Sequence, residues 1–89
     1  MSRDPMQTNP AVLEAAMTTT TEPNCRIVHA KLFHHNNLVL QLLFDHHFNM
    51  YRINVYRLND QSNTDLWGVY FDDDDGYARA RAKFDSIQL

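Results

Sequence analysis

Three stretches of this chain, residues 25–34, 38–45 and 50–58, the first and third with apolar residues at every second position, pair with one another in a single way, with a shorter fourth stretch at 66–71. Apolar residues at every second position are the signature of a half-buried strand. A three-residue turn at His35-Asn36-Asn37 sets Leu32 opposite Leu40, Ala30 opposite Leu42 and Val28 opposite Phe44. A turn at His46-His47-Phe48-Asn49 then sets Phe44 opposite Tyr51, Leu42 opposite Ile53 and Leu40 opposite Val55. One register satisfies both hairpins, and a slip of one residue would carry each apolar set to the other face of the sheet.

The strands are followed by Asp72-Asp73-Asp74-Asp75-Gly76 and a helical pattern that runs to about Ile87. Tyr77, Ala80, Phe84 and Ile87 fall on one stripe of that helix. Asp72 or Asp73 is its expected N-cap, and Arg79, Arg81 and Lys83 lie toward its C-terminal half, so the charges suit the helix dipole. Upstream, Asn9 as N-cap and Pro10 at the first helical position predict a short helix over 10–17. Residues 18–23, β-branched and ending in proline, read as an extended linker. Residues 1–6 read as a tag remnant or a loose terminus, and Met17 is an alternative start. The expected organisation is an N-terminal segment, 1–24, and a single domain, 25–89. Its class is α+β: a four-stranded antiparallel β-meander with a C-terminal helix packed on one face.

Composition removes several function classes. A hydrophobic content of 44% and an aromatic content of 11% belong to a globular chain. A net charge of −3 argues against general affinity for nucleic acid, which needs clustered Lys and Arg. The helix–strands–helix order resembles double-stranded-RNA-binding domains, but those carry a basic patch where their last helix begins. Here that position holds four aspartates. The longest apolar run, 38–44, is interrupted by Gln41 and is too short to span a bilayer. Cys25 is the single cysteine, so no internal disulfide forms. With no basic-then-apolar leader pattern, the expectation is a cytoplasmic protein with no membrane or nucleic-acid partner and no cofactor.

A sheet of four strands about 4.8 Å apart is wider than one helix about 10 Å across. With Val28, Ala30, Leu32, Leu40, Leu42, Phe44, Tyr51, Ile53, Val55, Trp67, Val69 and Phe71 under the helix, the other face carries Phe33, Val39, Leu43, Met50, Arg52, Tyr56 and Tyr70. Contiguous apolar residues on an open face mark an interaction surface. The expected function is therefore a small non-catalytic protein–protein interaction module that forms a homodimer through those seven residues. The alternative is an acidic inhibitor or immunity-type protein that docks on a basic target through Asp72, Asp73, Asp74 and Asp75.

Other chemistry has less behind it. Extending the first strand sets Cys25 opposite His47 with Asp45 and His29 nearby, all legitimate zinc ligands but without a familiar spacing, and no metal is expected. Aligning Gly76 with the glycine of an EF-hand loop places Phe71 and Ala82 at ligand positions, which excludes that loop. Catalysis has no oriented nucleophile and no phosphate-cradling glycines, since Gly68 and Gly76 are the only two.

Overall fold

The computed structural model describes residues 10–18, 20, 22–58 and 64–89. Four strands, β1 (Cys25–Phe33), β2 (Leu38–Asp45), β3 (Met50–Arg57) and β4 (Thr64–Phe71), lie side by side in chain order, each antiparallel to the next. Helix α1 (Pro10–Thr18) precedes them and α2 (Gly76–Ser86) follows. The fold is α+β, with α2 on one face of the meander and the short α1 on the other.

The β2–β3 register is the one expected, with Phe44 opposite Tyr51, Leu42 opposite Ile53 and Leu40 opposite Val55. The β1–β2 register is not. Leu32 pairs with Val39, Lys31 with Leu40, Ala30 with Gln41 and His29 with Leu42. The connection is four residues long rather than three: His34–Asn36 form a 3₁₀ turn, and Asn37 takes the left-handed conformation at φ 53°, ψ 44°. Asparagine tolerates that region because its short side chain can hydrogen-bond locally. Phe33 and Leu38 therefore close the hairpin as a pair. A bulge between Ile27 and His29 absorbs one residue, so Val28 still packs on the α2 side as expected. In β4 a second bulge, at Trp67, lies between the pairs Ile53–Gly68 and Asn54–Leu66. Tyr70 then faces α2 opposite Tyr51, while Val69 and Phe71 turn to the other face opposite Arg52 and Met50.

The core under α2 joins Phe33, Leu40, Leu42, Ile53 and Val55 to Ala80, Phe84 and Ile87 of the helix. Each large aliphatic side chain fully buried there stabilises the fold by about 1.5–3 kcal/mol relative to leaving it exposed. Tyr77, expected on the buried stripe, is exposed at its margin, where its hydroxyl meets His29 Nε2 at 3.0 Å. The helix begins at Gly76, so its N-cap position falls on Asp75 rather than Asp72 or Asp73, and Asp75 makes no side-chain cap bond.

The second core lies under α1 and joins Ala16 to Val39 and Leu58, with Leu13, Met17, Ala30, Leu32 and Tyr56 packed around them. One polar contact sits inside it: the buried Gln41 Nε2 donates to the Ala16 carbonyl at 2.9 Å. Beyond the helix, Glu22 reaches Arg52 at 3.6 Å, and Arg52 reaches Asp45 at 3.7 Å. No helix among the described residues is long and apolar enough to cross a membrane.

Candidate functional site

The seven side chains expected to share an open face are divided by the structure. Phe33 and Tyr70 lie on the α2 side, where both belong to the first core. Val39 and Leu43 are on the opposite side but fully buried by their own chain. Tyr56 is half-buried against the α1 core, and Arg52 is held by Glu22 and Asp45. Met50 is half-buried and pairs with Phe71. The β1 residues exchanged sides because the β1–β2 register is shifted by one and a bulge follows. The β1–β2 half of the outer face is closed because α1 lies over it.

What remains open is the β4 half of that face. Leu66, Val69 and Phe71 are on the outer side of β4, next to Asn54, Arg52 and Met50 of β3, and Trp67 stands in the bulge between them. They are exposed by 54%, 42%, 67% and 44% for Leu66, Val69, Phe71 and Trp67 respectively. Phe48, in the turn before β3, adds another exposed ring. At the inner margin of this patch, Arg52 Nε and Asn54 Oδ1 are buried without a hydrogen-bond partner. Sequence reasoning placed Trp67, Val69 and Phe71 under α2. The signal that marks the correct parity is Gly68, since a glycine inside a strand commonly accompanies a bulge. Gly68 also leaves room for the Tyr70 ring, which would stand 3.0 Å from a β-carbon there.

The two edges of the sheet differ in chemistry. β1 carries Arg26, His29 and Lys31 along with its bulge. Charges and bulges are the usual means of keeping an edge from pairing with another chain. β4 has a bulge, but its sequence from Leu66 to Phe71 contains no charge and no proline.

The aspartate run is partly neutralised from within. Arg79 Nη2 donates to both carboxylate oxygens of Asp73 at 3.1 Å, and Arg79 Nε approaches Asp75 at 3.3 Å. Desolvation pushes the Asp73 carboxyl up, but the Arg79 charge and hydrogen bonds from Asp75 and Arg79 outweigh it and hold the carboxyl below its ordinary range. Asp72 lies beside Tyr51, whose hydroxyl is raised first by burial and then by that carboxylate.

The candidate metal ligands do not converge. Cys25 pairs directly with Asp45 rather than His47. Asp45 accepts hydrogen bonds from the His47 and Phe48 backbone N–H groups at 2.8 and 3.2 Å, so it braces the β2–β3 turn. His29 is carried to the α2 side by the shifted β1–β2 register, where it meets Tyr77 and Arg81. The His47 ring packs edge-on against Phe48 at 4.5 Å. Among the described residues no group of three or more His, Cys, Asp or Glu could hold a metal ion. Burial pushes the Cys25 thiol up, and the Asp45 charge adds to this against a lowering hydrogen bond from Arg52. Compared with known protein families, curated proteins and solved structures, the chain matches none of them.

Proposed function

We propose that this protein is a small, non-catalytic protein–protein interaction module that self-associates through the outer row of β4. The observation that carries the reading is the row itself: Leu66, Trp67, Val69 and Phe71, all exposed, on an edge strand without charge between them. An exposed apolar patch of this size is often a functional surface. A second copy is the natural occupant because two antiparallel edges related by a two-fold axis present the same surface to each other and close the assembly.

The four side chains expose roughly 400 Å² per chain, a patch of the size used by weak, reversible associations. Docking on a basic target through Asp72–Asp75 draws less support, because Arg79 already engages Asp73 and Asp75.

Sedimentation equilibrium over a concentration series tests the proposal. Wild-type protein should be dimeric, and Phe71→Asp or Leu66→Asp should give a folded monomer, since both side chains are exposed and neither supports a core. A wild-type chain that stays monomeric up to millimolar concentration would refute it.

A further inference from the structure

Resting on the self-association proposed above, we infer that the two copies join edge to edge, β4 against β4, with Val69 on the two-fold axis, to make one continuous eight-stranded antiparallel sheet. The direction of the β4 backbone carries this. The Asp72 N–H donates to the Asn49 carbonyl at 2.9 Å, which makes Asn49 and Asp72 a hydrogen-bonded pair of the β3–β4 ladder. From there the register runs without interruption through Met50–Phe71, Tyr51–Tyr70, Arg52–Val69 and Ile53–Gly68. Hydrogen-bonded and non-hydrogen-bonded pairs alternate along an antiparallel ladder. Tyr70 and Gly68 therefore turn their main-chain groups toward β3, and Phe71 and Val69 turn theirs away from it, toward the open edge.

The open groups are not equivalent. The Phe71 carbonyl already accepts the Asp73 N–H at 2.9 Å, where the chain folds back toward α2. Val69 is thus the residue between the bulge and Asp72 whose N–H and C=O both point outward with no local partner. A two-fold axis at Val69 lets each copy donate its Val69 N–H to the other's Val69 C=O. It also sets the Phe71 N–H opposite residue 67 of the second copy. Unpaired strand edges are templates for this kind of addition, and the stretch of β4 from Leu66 to Phe71 carries none of the charges found along β1. The Val69 side chains meet on the outer face, so the apolar row of one copy continues into that of the other.

Two measurements test the geometry on the full chain. Amide hydrogen exchange should show Val69 and Phe71 protected at high protein concentration and unprotected on dilution, with Tyr70 and Gly68 protected throughout. In a Cys25→Ser background, Val69→Cys should oxidise to a covalent dimer, because facing hydrogen-bonded residues lie about 5.5 Å apart at Cα, within disulfide reach. Phe71→Cys should not, because this register holds its two copies roughly 13 Å apart. If the protein is dimeric but the Val69 amide exchanges freely and Val69→Cys does not cross-link, edge pairing is wrong and the copies stack face to face, leaving the proposed function in place. A monomer at every concentration overturns both.

Discussion

Gly76 stands where β4 hands over to α2, and replacing it with alanine tests the packing of that junction. No positive φ is involved, so the constraint is one of space alone. A β-carbon there would overlap the Phe71 carbonyl oxygen and lie 3.0 Å from the Phe71 carbonyl carbon and 3.2 Å from an Asp73 carboxylate oxygen. The colliding group is main chain and cannot swing aside. Its oxygen holds the Asp73 N–H, and the Gly76 N–H in turn bonds the Asp73 carbonyl at 3.2 Å. Relief therefore needs α2 to shift relative to β4. Overpacking of this kind costs about 3 kcal/mol, and the reduced freedom of the unfolded chain returns up to about 1 kcal/mol, for a net loss near 2 kcal/mol. For a domain of this size that lowers Tm by about 10 °C. Gly68→Ala is the internal control, since its β-carbon would meet the far end of the Tyr70 ring, which can rotate. Thermal and urea unfolding of the two variants beside wild type give the comparison. A Gly76→Ala protein as stable as Gly68→Ala would show that the close approach of α2 to Phe71 is not a constraint.

Gln41→Leu should destabilise by about 1–3 kcal/mol by stranding the buried Ala16 carbonyl. Limited proteolysis within α1 should accelerate while the β2–β3 amides stay protected. Arg79→Gln should raise the Asp73 carboxyl above its wild-type position, read by NMR titration. Because the folded-state carboxyl of Asp73 is depressed, its contribution is present above the unfolded carboxylate pKa and lost as pH falls through the folded one. The variant should therefore be less stable than wild type at neutral pH and converge with it at acid pH, once Asp73 is protonated in both, as read by urea unfolding across pH. Cys25, with its thiol raised by burial, should react with iodoacetamide near pH 8 more slowly than a free cysteine, and an equal or faster rate would contradict the placement of its side chain.

The parts of this fold that were legible in the sequence are those that a single buried face determines. β2 and β3 met in the expected register because Leu40, Leu42 and Phe44 match Val55, Ile53 and Tyr51 across it. α2 was readable from Ala80, Phe84 and Ile87. β1 was not, because its two faces are both partly buried: Arg26, His29 and Lys31 lie beside Phe33 on the α2 side, while the apolar Ala30 and Leu32 pack toward α1. A second helix covers the face that alternation alone assigns to α2, so the turn decides the register. The turn depended on Asn37 entering the left-handed region, which residue type permits but does not require. The row on β4 was hidden for a related reason. One bulged residue at Trp67 inverts every side chain after it, and among the residue types only Gly68 hints at it.

The side-by-side order of the strands bears on how quickly the chain reaches this state. Every strand pairs with its neighbour in the chain, so no crossover or threading step is needed. The connections at 34–37 and 46–49 close loops of a few residues, for which the entropy of closure is small. α1 docks on β1 and β2, the two strands that follow it, and α2 returns to the strands just before it. Such local connectivity places the protein among the faster α/β folders, assembling by successive addition to whichever hairpin forms first. On a growing chain, the α1-covered half of the sheet can be complete before β4 has left the ribosome.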